Sequence, residues 1–204
     1  MRRAIKNHLE TYGKSYLILF IFLIIGVIIG VFGLNNSSQS VKERIITYLT
    51  NKVVGIEKEN ISYLILLKNF FENKIQFFIF LVFLCISIFG KYMVIPIVLF
   101  KGFSIGYSVA SAIMSFGVGK GVLLSLSLTL LSEIILIPTI FYTIITSLQL
   151  FNNLYYQNYE TKRKLILIYT IKIVCVILII LLLSIIETFL NVNIFLFFRN
   201  LFTF

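Results

Sequence analysis

Apolar residues along this chain gather into long unbroken runs, not into the alternation of a half-buried strand or the single stripe of a surface helix. The first run covers residues 15–34, and a helix of that length crosses ~30 Å of hydrocarbon at ~1.5 Å per residue. Further runs at 75–89, 92–116, 122–145 and 165–190 predict four more crossings, joined by tight turns at Gly90-Lys91 and at Gly117-Val118-Gly119-Lys120-Gly121. The pattern therefore predicts an all-α, polytopic membrane protein with five transmembrane helices.

Between the first two runs, residues 35–74 are mostly polar, yet Val41, Ile45, Leu49 and Val53 recur at helical spacing. An amphipathic helix lying on the membrane surface satisfies that pattern, as does one docked on a partner. Residues 146–164 form a second polar linker and 191–204 a short tail. Arg2, Arg3, Lys6 and Lys14 precede the first run, as in a secretory signal. The run continues to Asn35-Asn36 with no small-residue cleavage site, so it reads as an uncleaved first span. Five crossings put the termini on opposite sides. The basic N-terminus, Lys91 and Lys162-Arg163-Lys164 share one side, which predicts a cytoplasmic N-terminus, an outer loop at 35–74, a cytoplasmic loop at 146–164 and an outer tail.

Composition agrees with one membrane domain over 1–204: 59% of residues are hydrophobic and 13% charged, against roughly half and a quarter in soluble domains. Mean hydropathy is +1.02. A net charge of +10 would suggest nucleic acid in a soluble protein. Here the basic residues flank apolar runs, so membrane lipids are the expected partners and nucleic acid is not. Cys85 and Cys175 lie inside apolar runs and read as small hydrophobes. The one histidine, His8, precedes the first span, and all eight acidic residues are Glu. That inventory supplies neither a His-Glu-x-x-His metal site nor a Ser-His pair within the membrane. The Gly-rich turn at Lys120 lacks the spacing and the following Ser or Thr of a phosphate loop. No catalytic, cofactor or metal residues are expected, and the protein is not expected to be an enzyme.

Gly26-Val27-Ile28-Ile29-Gly30 and Gly102-Phe103-Ser104-Ile105-Gly106 each place small residues four apart, the spacing that lets membrane helices approach closely. Packing within the bundle is the favoured reading; a homo-oligomer interface is the alternative. Glu133 falls near the middle of the fourth run, where an ionised carboxylate is expensive unless paired or hydrated. Lys101, in the third run, is at similar depth. Two readings stay open: a buried pair, or a snorkelling Lys101 beside a protonated Glu133. Pro138 predicts a kink one turn beyond Glu133. Glu187, near the outer interface in the fifth run, is a further candidate structural or functional residue, with a plain interfacial anchor as the alternative. Glu133, Lys101 and the proline also keep alive a small permease or transporter subunit, although the odd number of spans gives no inverted repeat.

Taken together, these segments resemble the stage II sporulation protein M family of endospore-forming bacteria. Leu99-Phe100-Lys101-Gly102-Phe103-Ser104-Ile105-Gly106-Tyr107 resembles that family's Lys-Gly-hydrophobic-x-x-Gly stretch, Ile134-Ile135-Leu136-Ile137-Pro138 its Leu-Leu-Ile-Val-Pro run, and Glu187-Thr188-Phe189-Leu190 its Glu-Ala-hydrophobic-hydrophobic segment. The resemblance covers nearly the whole chain and departs at Ser132-Glu133, where uncharged polar residues are expected. It implies a non-enzymatic membrane scaffold that holds two extracytoplasmic peptidoglycan hydrolases, the stage II sporulation proteins D and P. The implied setting is the bacterial cell membrane at the sporulation septum, where wall remodelling lets the mother-cell membrane engulf the forespore.

Overall fold

The computed structural model describes residues 2–58, 63–87, 89–125, 131–156 and 159–202, with side chains described for these except 2–9, 51–58, 65, 131, 155–156, 159–161 and 191–202. Arg2, Arg3, Lys6, His8 and Val53, invoked above, fall outside the described side chains.

Six helices account for the described chain, with no strand among them: α1 Arg2–Asn35, α2 Gln39–Lys58, α3 Tyr63–Ile86, α4 Gly90–Ser125, α5 Leu131–Tyr156 and α6 Tyr159–Phe202. All but α2 are long and apolar enough to cross a membrane. Their outward faces are greasy, with Phe20, Ile24, Phe83, Ile171 and Leu178 all exposed. Large exposed aliphatic and aromatic side chains on nearly every helix are what a bilayer, not water, solvates.

The inward faces follow helical spacing. Phe78, Leu81 and Cys85 on α3, Leu136, Ile140 and Ile144 on α5, and Val176, Ile180 and Leu183 on α6 close one buried cluster, completed by Leu19 and Leu23 of α1 and Val94, Ile97 and Val98 of α4. α1 and α4 run parallel and touch along the small-residue face. A β-carbon added at Gly26 would strike the Leu99 carbonyl, one at Gly30 the Phe103 carbonyl, one at Gly102 the Leu23 carbonyl and one at Gly106 the Val27 carbonyl. Here the small face serves packing within the chain.

Three boundaries differ from the sequence expectation, and in the first two polar side chains are accommodated inside a helix. α3 begins at Tyr63, not 75, since Lys68 and Glu72 pair one turn apart at 3.8 Å on an exposed face. α5 begins at Leu131 and runs to Tyr156, well into the expected loop at 146–164. Thr143, Thr146 and Ser147 donate to carbonyls one turn back, and the Ser147 hydroxyl sits 2.7 Å from the Tyr169 hydroxyl of α6, so the polar run remains helical and buried. α6 continues to Phe202, so the expected tail is largely helical.

Within α4 the chain breaks at Gly117, which has φ 78 and ψ 169, a conformation costly for any residue with a side chain. The segment after it folds back, bringing Gly121 against the backbone of Ala112 and Ile113. Residues 126–130, part of the expected fourth span, lie outside the described residues. α2 packs on α4, and Lys42 Nζ donates to the Asn35 carbonyl at 2.7 Å, tying the start of α2 to the end of α1.

Candidate functional site

The chemistry inside the bundle is concentrated in two ion pairs that bind four helices together. Lys101 projects from α4 next to Gly102, and its Nζ lies 2.6 Å from Oε1 of Glu133 in the first turn of α5. The pairing that the sequence left open is therefore made. Both side chains are largely buried, at 17% and 10% exposure. The lysine ammonium stands 5.5 Å from the centre of the Phe77 ring on α3, close enough for a cation–π contact. The second carboxylate oxygen of Glu133 is buried with no hydrogen-bond partner among the described residues.

The second pair joins Lys74 of α3 to Glu187 of α6, with Lys74 Nζ donating to Glu187 Oε2. Glu187 is turned inward, with its side chain 9% exposed. Buried Ser184 and Thr188 flank it, their hydroxyls donating to the carbonyls of Ile180 and Ser184. Lys74 and Phe77 sit three residues apart on one face of α3, so that face touches both pairs.

Lys74 was missed as a site residue because it closes a polar stretch. A signal was available in the spacing. Lys74, Phe78, Leu81 and Cys85 recur at i, i+4, i+7 and i+11, and Val176, Ile180, Leu183 and Glu187 repeat the same intervals on α6. Extending each buried stripe by one turn reaches a charged residue of opposite sign. The remaining candidates are placed as follows. Gly26, Gly30, Gly102 and Gly106 form the α1–α4 contact, and Pro138 lies exposed inside α5, which continues as a helix through it.

Each pair neutralises a charge that would otherwise cost ~2.5–3.5 kcal/mol near the bilayer centre. Chemically the arrangement staples helices: each carboxylate is held by an ammonium. Among the described residues no three His, Cys or Glu side chains group as a metal site, and both cysteines are free.

Greasy outward faces, a small-residue helix contact and interior ion pairs define a polytopic α-helical membrane protein. Its sequence matches the family described as Stage II sporulation protein M over residues 19–191. That match spans most of the chain, and the protein belongs to this family of sporulation membrane proteins. No curated relative and no solved structure matches it.

Proposed function

We propose that this protein is a non-enzymatic membrane scaffold of endospore formation, which recruits and anchors septal peptidoglycan hydrolases during wall thinning and engulfment. The observation that carries the reading is the family match over residues 19–191, joined to a bundle in which Lys74 with Glu187 and Lys101 with Glu133 hold helices together. By resemblance the hydrolases are the stage II sporulation proteins D and P. The surface offered to them is the outer loop at 35–74, which contains α2, with the turn at Gly119 and the tail at 191–204. α2 presents Val41 and Tyr48 to the outside, beside a shallow polar cleft of Ser40, Glu43, Arg44 and Thr47. An exposed amphipathic helix suits helix-in-groove or surface docking. In this reading the N-terminus is cytoplasmic and α2 faces outward, as the basic residues at Lys91 and Lys162-Arg163-Lys164 favour.

The test is affinity capture of the tagged protein from sporulating cells. Wall hydrolases should come down with the intact protein and be lost when residues 41–53 are replaced by a neutral linker. Capture that survives this replacement would remove α2 from the docking surface, and capture without any hydrolase would remove the scaffold role. The other reading of Glu133 is a permease subunit; proton-coupled uptake in proteoliposomes that Glu133→Gln abolishes would favour it over the scaffold.

A further inference from the structure

A groove of about 720 Å³ opens between α3, α5 and α6, on the lipid-facing side of the bundle. Phe78, Val82 and Phe83 line one wall, Ile173 and Ile177 the other, and Phe151 closes an end. That volume falls within the ~300–1,000 Å³ of small-ligand sites. Along α3 the groove runs from Phe78 to Ile86, a separation of eight residues, or ~12 Å at ~1.5 Å per residue. One leaflet of a ~30 Å hydrocarbon core is about that deep. Ser87 is the polar lining residue, and it stands at the α3–α4 turn.

Two lysines flank that end. Lys91 follows the turn and is exposed. Lys172 directly precedes the lining residue Ile173 on α6, as Lys91 stands two residues after the lining residue Phe89. Neither lysine makes an ion pair or hydrogen bond among the described residues, although Lys172 is half-buried beside Ile173. Lys162, Arg163 and Lys164 extend the positive charge further along α6.

We propose that the groove holds one acyl chain of an anionic phospholipid from the surrounding bilayer, with its phosphate held by Lys91 and Lys172. An apolar slot one leaflet deep, ending at two unneutralised ammonium groups at headgroup level, matches the two halves of that molecule. A zwitterionic lipid would fill the slot and leave the charge unanswered. A second copy of the chain would bring the same lysines and repel.

The chain has no tryptophan, so Phe83→Trp places a single reporter in the groove wall. The full-length protein is reconstituted in phosphatidylcholine vesicles containing a minor fraction of brominated phosphatidylglycerol or, in parallel, the same fraction of brominated phosphatidylcholine. Bromine on the anionic lipid should quench severalfold more strongly. Adding Lys91→Gln with Lys172→Gln should bring the two lipids to parity, while Lys68→Gln, on the exposed face of α3, should leave the preference intact. Equal quenching in the Phe83→Trp parent overturns the proposal. So does a preference that survives loss of both lysines, one lost equally with Lys68→Gln, or a reporter that neither lipid reaches because a second copy covers it.

Discussion

Where an ammonium and a carboxylate meet between helices, the cost of removing one partner differs from that of removing both. Breaking a buried pair from one side strands a charge and costs about 3–5 kcal/mol, while replacing both partners with apolar or neutral isosteres is often close to neutral. Glu133→Gln and Lys101→Met should therefore each lower the thermal midpoint of the detergent-solubilised protein, and the double variant should recover most of the loss. Three equally harmless variants would show that the 2.6 Å contact contributes nothing to stability. The Lys74–Glu187 pair permits a stricter test, because its partners can be exchanged. Lys74→Glu alone faces Glu187 with a like charge and should strongly destabilise the protein; Lys74→Glu with Glu187→Lys should restore it. Lys74→Glu with Glu133→Lys should not, since rescue requires contact and not merely net charge.

Among elements, the α1–α4 contact is the most sterically determined. Backbone carbonyls of one helix fill the space where a β-carbon of the other would go, so enlarging Gly26 or Gly106 must push whole helices apart. Gly106→Leu should cost at least ~1–3 kcal/mol, the usual penalty for overpacking, and reduce the yield of folded protein on size exclusion. Gly119→Leu, whose β-carbon would meet nothing within 4 Å, should behave as the parent. Parity between the two would mean that α1 and α4 do not pack through these glycines. Elements of this kind were legible beforehand because small residues four apart have one dominant use in a membrane. The true extents of α3 and α5 were not. Hydropathy counts Lys68, Glu72, Thr146 and Ser147 as polar wherever they stand, and only the fold reveals that a neighbouring turn or a facing tyrosine satisfies them. Lys74 was obscured in the same way, whereas Lys101 and Glu133, sitting inside apolar runs, announced themselves as charges in need of partners.

At the scale of the whole molecule, the two ion pairs fasten α3 to α6 and α4 to α5, and the glycine face fastens α1 to α4. With the hydroxyl contact of Ser147 and Tyr169 joining α5 to α6, the five apolar helices are tied by contacts that lipid cannot supply, since apolar side chains gain little by leaving one hydrocarbon for another. This fixed bundle gives α2 a defined platform, with α4 beneath it and α1 at its start. Antiparallel succession of the helices puts the α3–α4 turn and the α5–α6 connection on one face of the bundle and α2 on the other. The basic residues Lys91, Lys162, Arg163 and Lys164 all belong to the first face, the one that the proposed orientation turns toward the cytoplasm. In a background with Cys85 and Cys175 replaced, cysteines introduced at Ser40 and Gly119 should react with an impermeant maleimide added to intact cells. Those at Lys91 and Arg163 should react only after permeabilisation. The reverse pattern would invert the protein and leave extracytoplasmic hydrolases no access to α2; labelling of Ser40 and Arg163 from the same side would break the five-crossing bundle itself.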